Sequence, residues 1–256
     1  VTGGTPVPLL QNSFWQNIVL TLTNPALWLV GFALCLLDAC RYGFTDWGVT
    51  QLAETQKATV SSAAFKYAVF PFGGIVGACF SGWASDRFCN GRRVPVICAL
   101  LLALGVLAVA YNTVIYWGLA AGLTILFLIG FCLFGSQVLL VGTLPMDIAR
   151  RGTAAAAAGF VNGMGALGAA AGDKLTGHLA QDYGWRFAVW FWAGCAFVAM
   201  LVIAPLWKRV RQSEEGKVPG VVGQASRLPQ GRLAPVPILA GETPAVAGRT
   251  PAPLRE

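Results

Sequence analysis

Long blocks without charge dominate the pattern of this chain. Between Val94 and Met146 lie 53 residues with no Asp, Glu, Lys, Arg or His, far more than the roughly 20 that one helix needs to cross a bilayer. The block therefore reads as two helices and a hairpin. Asn112 and Thr113 supply the polar punctuation, which predicts spans at Val94–Tyr111 and Tyr116–Leu140 with Tyr111 and Tyr116 at the interface. Asn24-Pro25 is a helix-start signal, an N-cap followed by proline at the first helical position, and predicts a span from Pro25 to about Gly43. The polar stretch Gln51–Thr59 reads as a loop before a span over Val60–Ala84. Thr153–Leu179 is rich in Ala and Gly; its Gly159, Gly163, Gly165, Gly168 and Gly172 fit close helix packing in lipid. Phe187–Trp207 completes a predicted set of six spans.

Composition agrees. Of the 256 residues, 56% are apolar and only 11% charged, less than half the roughly 25% of a soluble domain, which excludes an ordinary water-soluble enzyme. The net charge of +7 does not call for nucleic acid, because its distribution has a simpler cause. Alternate loops carry Arg87, Arg92, Arg93, Arg150, Arg151, Lys208, Arg209 and Arg211, eight cations, against Lys57 and Arg186 on the other side. The positive-inside rule then puts both termini and the basic loops in the cytoplasm. Residues 1–23 contain no charge, and their Phe14–Leu22 stretch, too short to span, reads as an interfacial lead-in to a bundle over 24–211. Residues 212–256, rich in Pro, Gly and Ala, read as a disordered cytoplasmic tail. The start at Val1, without a signal-peptide pattern, reads as internal to a longer chain. Seven scattered cysteines lack any metal-ligand or C-x-x-C spacing and read as small apolar packing residues. Neither a metal nor a cofactor is expected.

Ionisable groups inside spans cost at least about 2.5–3.5 kcal/mol each on insertion scales, so each is a functional candidate. The predicted spans hold five Asp, Glu, Lys or Arg residues: Asp38 and Arg41 on the first, Lys66 on the second, Asp173 and Lys174 on the fifth. Arg41 offers a planar fork to a phosphate or carboxylate, while Asp38, three residues earlier on the same face, is placed to neutralise it. Lys66 is either a second cationic contact for an anion or a side chain that snorkels to the headgroups. Asp173 and Lys174 are adjacent, about 100° apart around the helix, and are a candidate structural charge pair. His178 has no partner at a catalytic spacing and reads as a residue of the helix end.

The loop Gly82-Trp-Ala-Ser-Asp86-Arg87-Phe-Cys-Asn-Gly91-Arg92-Arg93 joins the second and third spans. Gly82 allows close helix contact there, Asp86 can accept from a helix N-terminus or an arginine, and the charge cluster suits a conformational latch. The segment resembles the G-x-x-x-D-R-x-G-R-[KR] loop signature of the major facilitator superfamily, with two extra residues before the second glycine. Arg41-Tyr-Gly-Phe-Thr-Asp-Trp47, Gly130-Phe-Cys-Leu-Phe-Gly135, Gly152-Thr-Ala through Gly159-Phe160, and Tyr183-Gly-Trp185 are similar to the organophosphate:phosphate antiporter family. The similarity runs over about Asn24–Lys208. Two positions depart from that pattern: Pro71 stands where a glutamate is common, and Asp38 where an aromatic is frequent.

The resemblance implies an all-α membrane protein whose six spans form one half, the C-terminal one, of a twelve-helix fold of the bacterial inner membrane. It implies a secondary transporter exchanging a sugar phosphate or glycerol phosphate for inorganic phosphate. On that resemblance Arg41 would be the substrate arginine of this half; Lys66 and Asp38 join it as candidate substrate-site residues because they are charges within spans, and the Asp86–Arg93 loop is expected to gate on the cytoplasmic side. The expected partners are a small anionic substrate, the lipid bilayer and an N-terminal six-helix half. A sensor on the same scaffold is the alternative. A membrane-embedded hydrolase or transferase has no Ser/His/Asp set, H-E-x-x-H or nucleotide loop to support it.

Overall fold

The computed structural model describes residues 14–89, 92–149 and 152–207, and every regular element among them is helical. A short helix α1 (Phe14–Leu22) precedes six helical segments long and apolar enough to cross a membrane. The first is α2 (Pro25–Gln56). The second comprises α3 (Val60–Tyr67) and α4 (Val69–Phe88). The third is α5 (Arg93–Val114), and the fourth comprises α6 (Leu119–Val138), a π-helical turn over Leu139–Thr143 and α7 (Leu144–Ile148). The fifth and sixth are α8 (Ala154–Asp182) and α9 (Trp185–Ile203). The tail expected over 212–256 lies outside the described residues, as do Gly91, Arg150 and Arg151.

Local chemistry explains where the helices start, break and stop. Asn24 caps α2, its side chain accepting from the Ala26 N–H at 3.1 Å while its amide donates to the Ile148 carbonyl at 3.3 Å. The second span is interrupted at Ala68 because Pro71 has no N–H for the Tyr67 carbonyl and its ring crowds that group. Pro145 removes the bond to Val141 in the same way, and Val141 lies inside the π-helical turn. The turn between the third and fourth spans falls at Gly118, whose φ of 128° suits glycine. Asn112 and Thr113, expected as the turn, belong instead to the last stretch of α5.

The first span differs most from expectation. It continues 13 residues beyond Gly43, and most of the expected polar loop is helix. Three of its polar side chains bond to neighbouring segments. Gln51 accepts from the Tyr111 hydroxyl at 2.6 Å, Glu54 from the Trp185 indole at 2.7 Å, and Gln56 from Lys66 at 2.9 Å. Only at Lys57, in the left-handed region, does the helix stop.

The packing has an internal order. Helix α2 lies against α8 and α9, α6 lies against α4 and α5, and α5 meets α9. Exchanging the first three spans with the last three maps this set of contacts onto itself, as nested inverted repeats do. Two parallel pairs result, and glycines bring each together. A Cβ at Gly73 would meet the Phe127 carbonyl, at Gly77 that of Phe131, and at Gly130 that of Phe70, so α4 and α6 touch backbone to backbone. In the other pair a Cβ at Gly168 would meet the Cys35 carbonyl and one at Gly172 would meet Ala39. The expected glycine stripe of the fifth span is thus real but narrower: nothing lies within 4 Å of the Cβ positions at Gly159 and Gly163.

Candidate functional site

Arg41 is the 17th of the 32 residues of α2, a helix about 48 Å long at 1.5 Å per residue. It sits at mid-helix, about 22–24 Å of helix rise from either end. Asp38 holds it, Oδ1 accepting from Arg41 Nε at 2.9 Å, with the two side chains 6% and 16% exposed respectively. The guanidinium carbon also lies 4.1 Å from the centre of the Tyr42 ring, a cation–π contact. The hydrogen bond to Asp38 uses Nε, and Nη1 and Nη2 make none to a described residue.

Two other segments complete the setting. Gln137, at the end of α6, donates from Nε2 to Asp38 Oδ1 at 3.4 Å. On the far side, Gly165 of α8 backs Asp38: a side chain there would collide with Oδ2 and with Leu34. Further along the α2–α8 contact, the Trp47 indole donates to Asp173 at 2.5 Å. Asp46 is exposed and within electrostatic reach of both Asp173 and Arg41. The group joins α2, α6 and α8 and carries both signs of charge.

The structure brings together fewer of the expected residues than the sequence suggested. Lys66 does not approach Arg41. Its ammonium bonds to Gln56, which stands 15 residues further along α2, about 22 Å of helix rise. There it helps line an open depression of about 450 Å³ formed with Lys57, Tyr116 and Leu119. Asp173 and Lys174 are no pair either: Asp173 takes the Trp47 indole, while Lys174 is exposed and makes no recorded ion pair among the described residues. Adjacent positions on a helix diverge too far for one partner to serve the other. His178 is exposed near the end of α8. The lengthened first span also adds Asp46 and Glu54 to the charges within spans.

At the basic end of the bundle, Arg93 at the start of α5 reaches Asp86 of α4 at 3.5 Å and Asp147 of α7 at 3.4 Å. Ser85 donates to the Arg92 carbonyl at 3.4 Å. The cluster ties the second, third and fourth spans to one another. Arg87 is exposed at the end of α4, and Gly91 lies outside the described residues. Gly82 makes no close helix contact, since nothing lies within 4 Å of where its Cβ would be; the close approach belongs to Gly73 and Gly77, further into the span.

The model of the Major Facilitator Superfamily matches residues 4–173 and 49–247. The chain belongs to this superfamily. Among relatives, it is 32% identical over 196 residues to the "Probable hexose phosphate transport protein" of Chlamydia muridarum, covering 75% of this chain and 42% of that protein. It is 29% identical over 199 residues to the glycerol-3-phosphate transporter of Bacillus subtilis, covering 75% and 44%. It is also 32% identical over 189 residues to the membrane sensor protein UhpC of Escherichia coli, covering 72% and 39%. The chain spans less than half the length of these relatives. Its six helices and their nested repeat match what one half of a major facilitator fold contains.

Gln137 and Trp47 escaped assignment from sequence. Gln137 had a signal, a side-chain amide near the end of the charge-free block, but only the fold shows that it faces Asp38.

Proposed function

We propose that this chain forms six-helix half of a secondary transporter that exchanges a phosphorylated small metabolite for inorganic phosphate by alternating access, with Arg41 as the anion anchor. The observation that carries this reading is the mid-helix guanidinium hydrogen-bonded to Asp38 through Nε. Its remaining N–H groups present a planar, permanently charged fork of the kind that grips phosphate bidentately. An aspartate beside the arginine lowers the cost of keeping a charge within the membrane when no substrate is bound. A companion half would complete the cavity, since this chain supplies one side of it. Lys66, remote from Arg41 in this conformation, has no place in the anchor proposed here. The names of the relatives support a phosphorylated substrate.

In this reading the basic end faces the cytoplasm of a bacterial inner membrane, as the eight-to-two distribution of loop cations favours. The Asp86–Arg93–Asp147 cluster stiffens that end of the half, so that it rocks as a unit. The test is uptake of labelled sugar phosphate, and counterflow of labelled phosphate, by the full-length protein in proteoliposomes. Arg41→Ala and Arg41→Lys are each expected to lose at least about tenfold in kcat/KM, equivalent to about 1.4 kcal/mol. Unchanged uptake in both overturns the anchor. The similarity to a membrane sensor supports a second reading, ligand sensing without transport. Phosphate-ester binding with no counterflow would favour it.

A further inference from the structure

We propose that Gln137 is a positioning residue that keeps the Arg41 fork open, an inference that rests on Arg41 being the anion anchor. Asp38 Oδ1 accepts from two directions, Arg41 Nε at 2.9 Å and Gln137 Nε2 at 3.4 Å, while Oδ2 is backed by Gly165. The carboxylate is thus fixed between three segments, and its orientation permits one bond to the guanidinium. A carboxylate free to turn beside an arginine prefers the two-bond arrangement, oxygen to Nε and oxygen to Nη. That arrangement would occupy an N–H the anion needs. Gln137 prevents it by pinning Oδ1 from the opposite helix and drawing off part of its charge.

The location of Gln137 supports the assignment. It stands two residues before the π-helical turn Leu139–Thr143, a local widening found disproportionately where function requires it. Its amide is also half-buried in a predominantly apolar span, where an amide without a task is a cost.

The experiment measures phosphate counterflow by the full-length protein in proteoliposomes, separating KM for inorganic phosphate from the maximal rate. Gln137→Met removes the amide at similar volume, and Gln137→Asn keeps it but withdraws it by one methylene. Both are expected to raise KM roughly three- to tenfold, the worth of one net hydrogen bond, with the maximal rate within about twofold. In an Asp38→Asn background, whose amide cannot close on the guanidinium through two oxygens, neither should add to the effect. A rise of the same size in both backgrounds, or no rise in either, overturns the positioning role. Arg41→Lys is the separate arm: if it leaves KM unchanged, the anchor falls and this inference falls with it; if it weakens phosphate while the Gln137 variants stay silent, only the positioning role fails.

Discussion

Two parallel helix pairs, related by the exchange of the two triplets, are closed by the same device and carry different contents. Along α4 and α6, Gly73, Gly77 and Gly130 let the backbones touch, and no charged side chain enters the contact. Along α2 and α8, Gly168 and Gly172 do the same, but Gly165 makes room for a carboxylate and Trp47 reaches across to Asp173. Small residues are the general means of association in lipid, where apolar surface has no preference for protein over acyl chain. One pair uses that closeness for cohesion alone. The other uses it to hold an ion pair at the middle of a helix, where the surrounding medium magnifies its field.

The largest expected effects test whether the two pairs really share one device. Gly73→Ala and Gly168→Ala should each destabilise the protein toward the upper end of about 1–3 kcal/mol, because the added methyl meets a carbonyl rather than a yielding side chain. Gly159→Ala and Gly163→Ala should be neutral or slightly stabilising, by up to about 1 kcal/mol, since alanine is the better helix former and space is open. Thermal unfolding in detergent measures all four. Sensitivity in only one pair would break the comparison.

A smaller effect separates the contents of the two pairs. Trp47→Phe keeps the ring but removes the N–H that Asp173 accepts, and should cost about 1–2 kcal/mol. The same unfolding assay applied with Asp173→Asn should show the two losses to be less than additive. Additive losses would mean that the indole and the carboxylate do not act together. Smaller still is Arg93→Gln. Its carboxylate partners are 69% and 51% exposed and its bonds are long, so less than about 1 kcal/mol of stability is expected. A larger loss would show that the basic end, rather than the glycine contacts, holds this half together.

The spans were legible because a crossing leaves a bulk signature, a block too long and too free of charge to be anything else. The break at Ala68 is legible from Pro71, which denies the Tyr67 carbonyl its hydrogen bond four residues earlier. The length of α2 was not legible, because Gln51, Glu54 and Gln56 look like loop residues until Tyr111, Trp185 and Lys66 are seen beside them. Those partners are distant in sequence except Lys66. Arg41 stood out through the cost of a charge in a span, and the loop signature and the Arg41–Trp47 string pointed to the superfamily. What sequence could not supply was neighbourhood: that Lys66 belongs to the far end of α2, that Asp173 turns to Trp47 rather than to Lys174, and that Gln137 faces Asp38.

The account stands or falls on the fork at the centre of α2. Isothermal titration of inorganic phosphate into the full-length protein, wild type against Arg41→Lys, tests it directly, since lysine keeps the charge and removes the fork. With both proteins equally folded, the account predicts phosphate binding at least about tenfold weaker in the variant, a loss of about 1.4 kcal/mol; equal affinity in the two would contradict it.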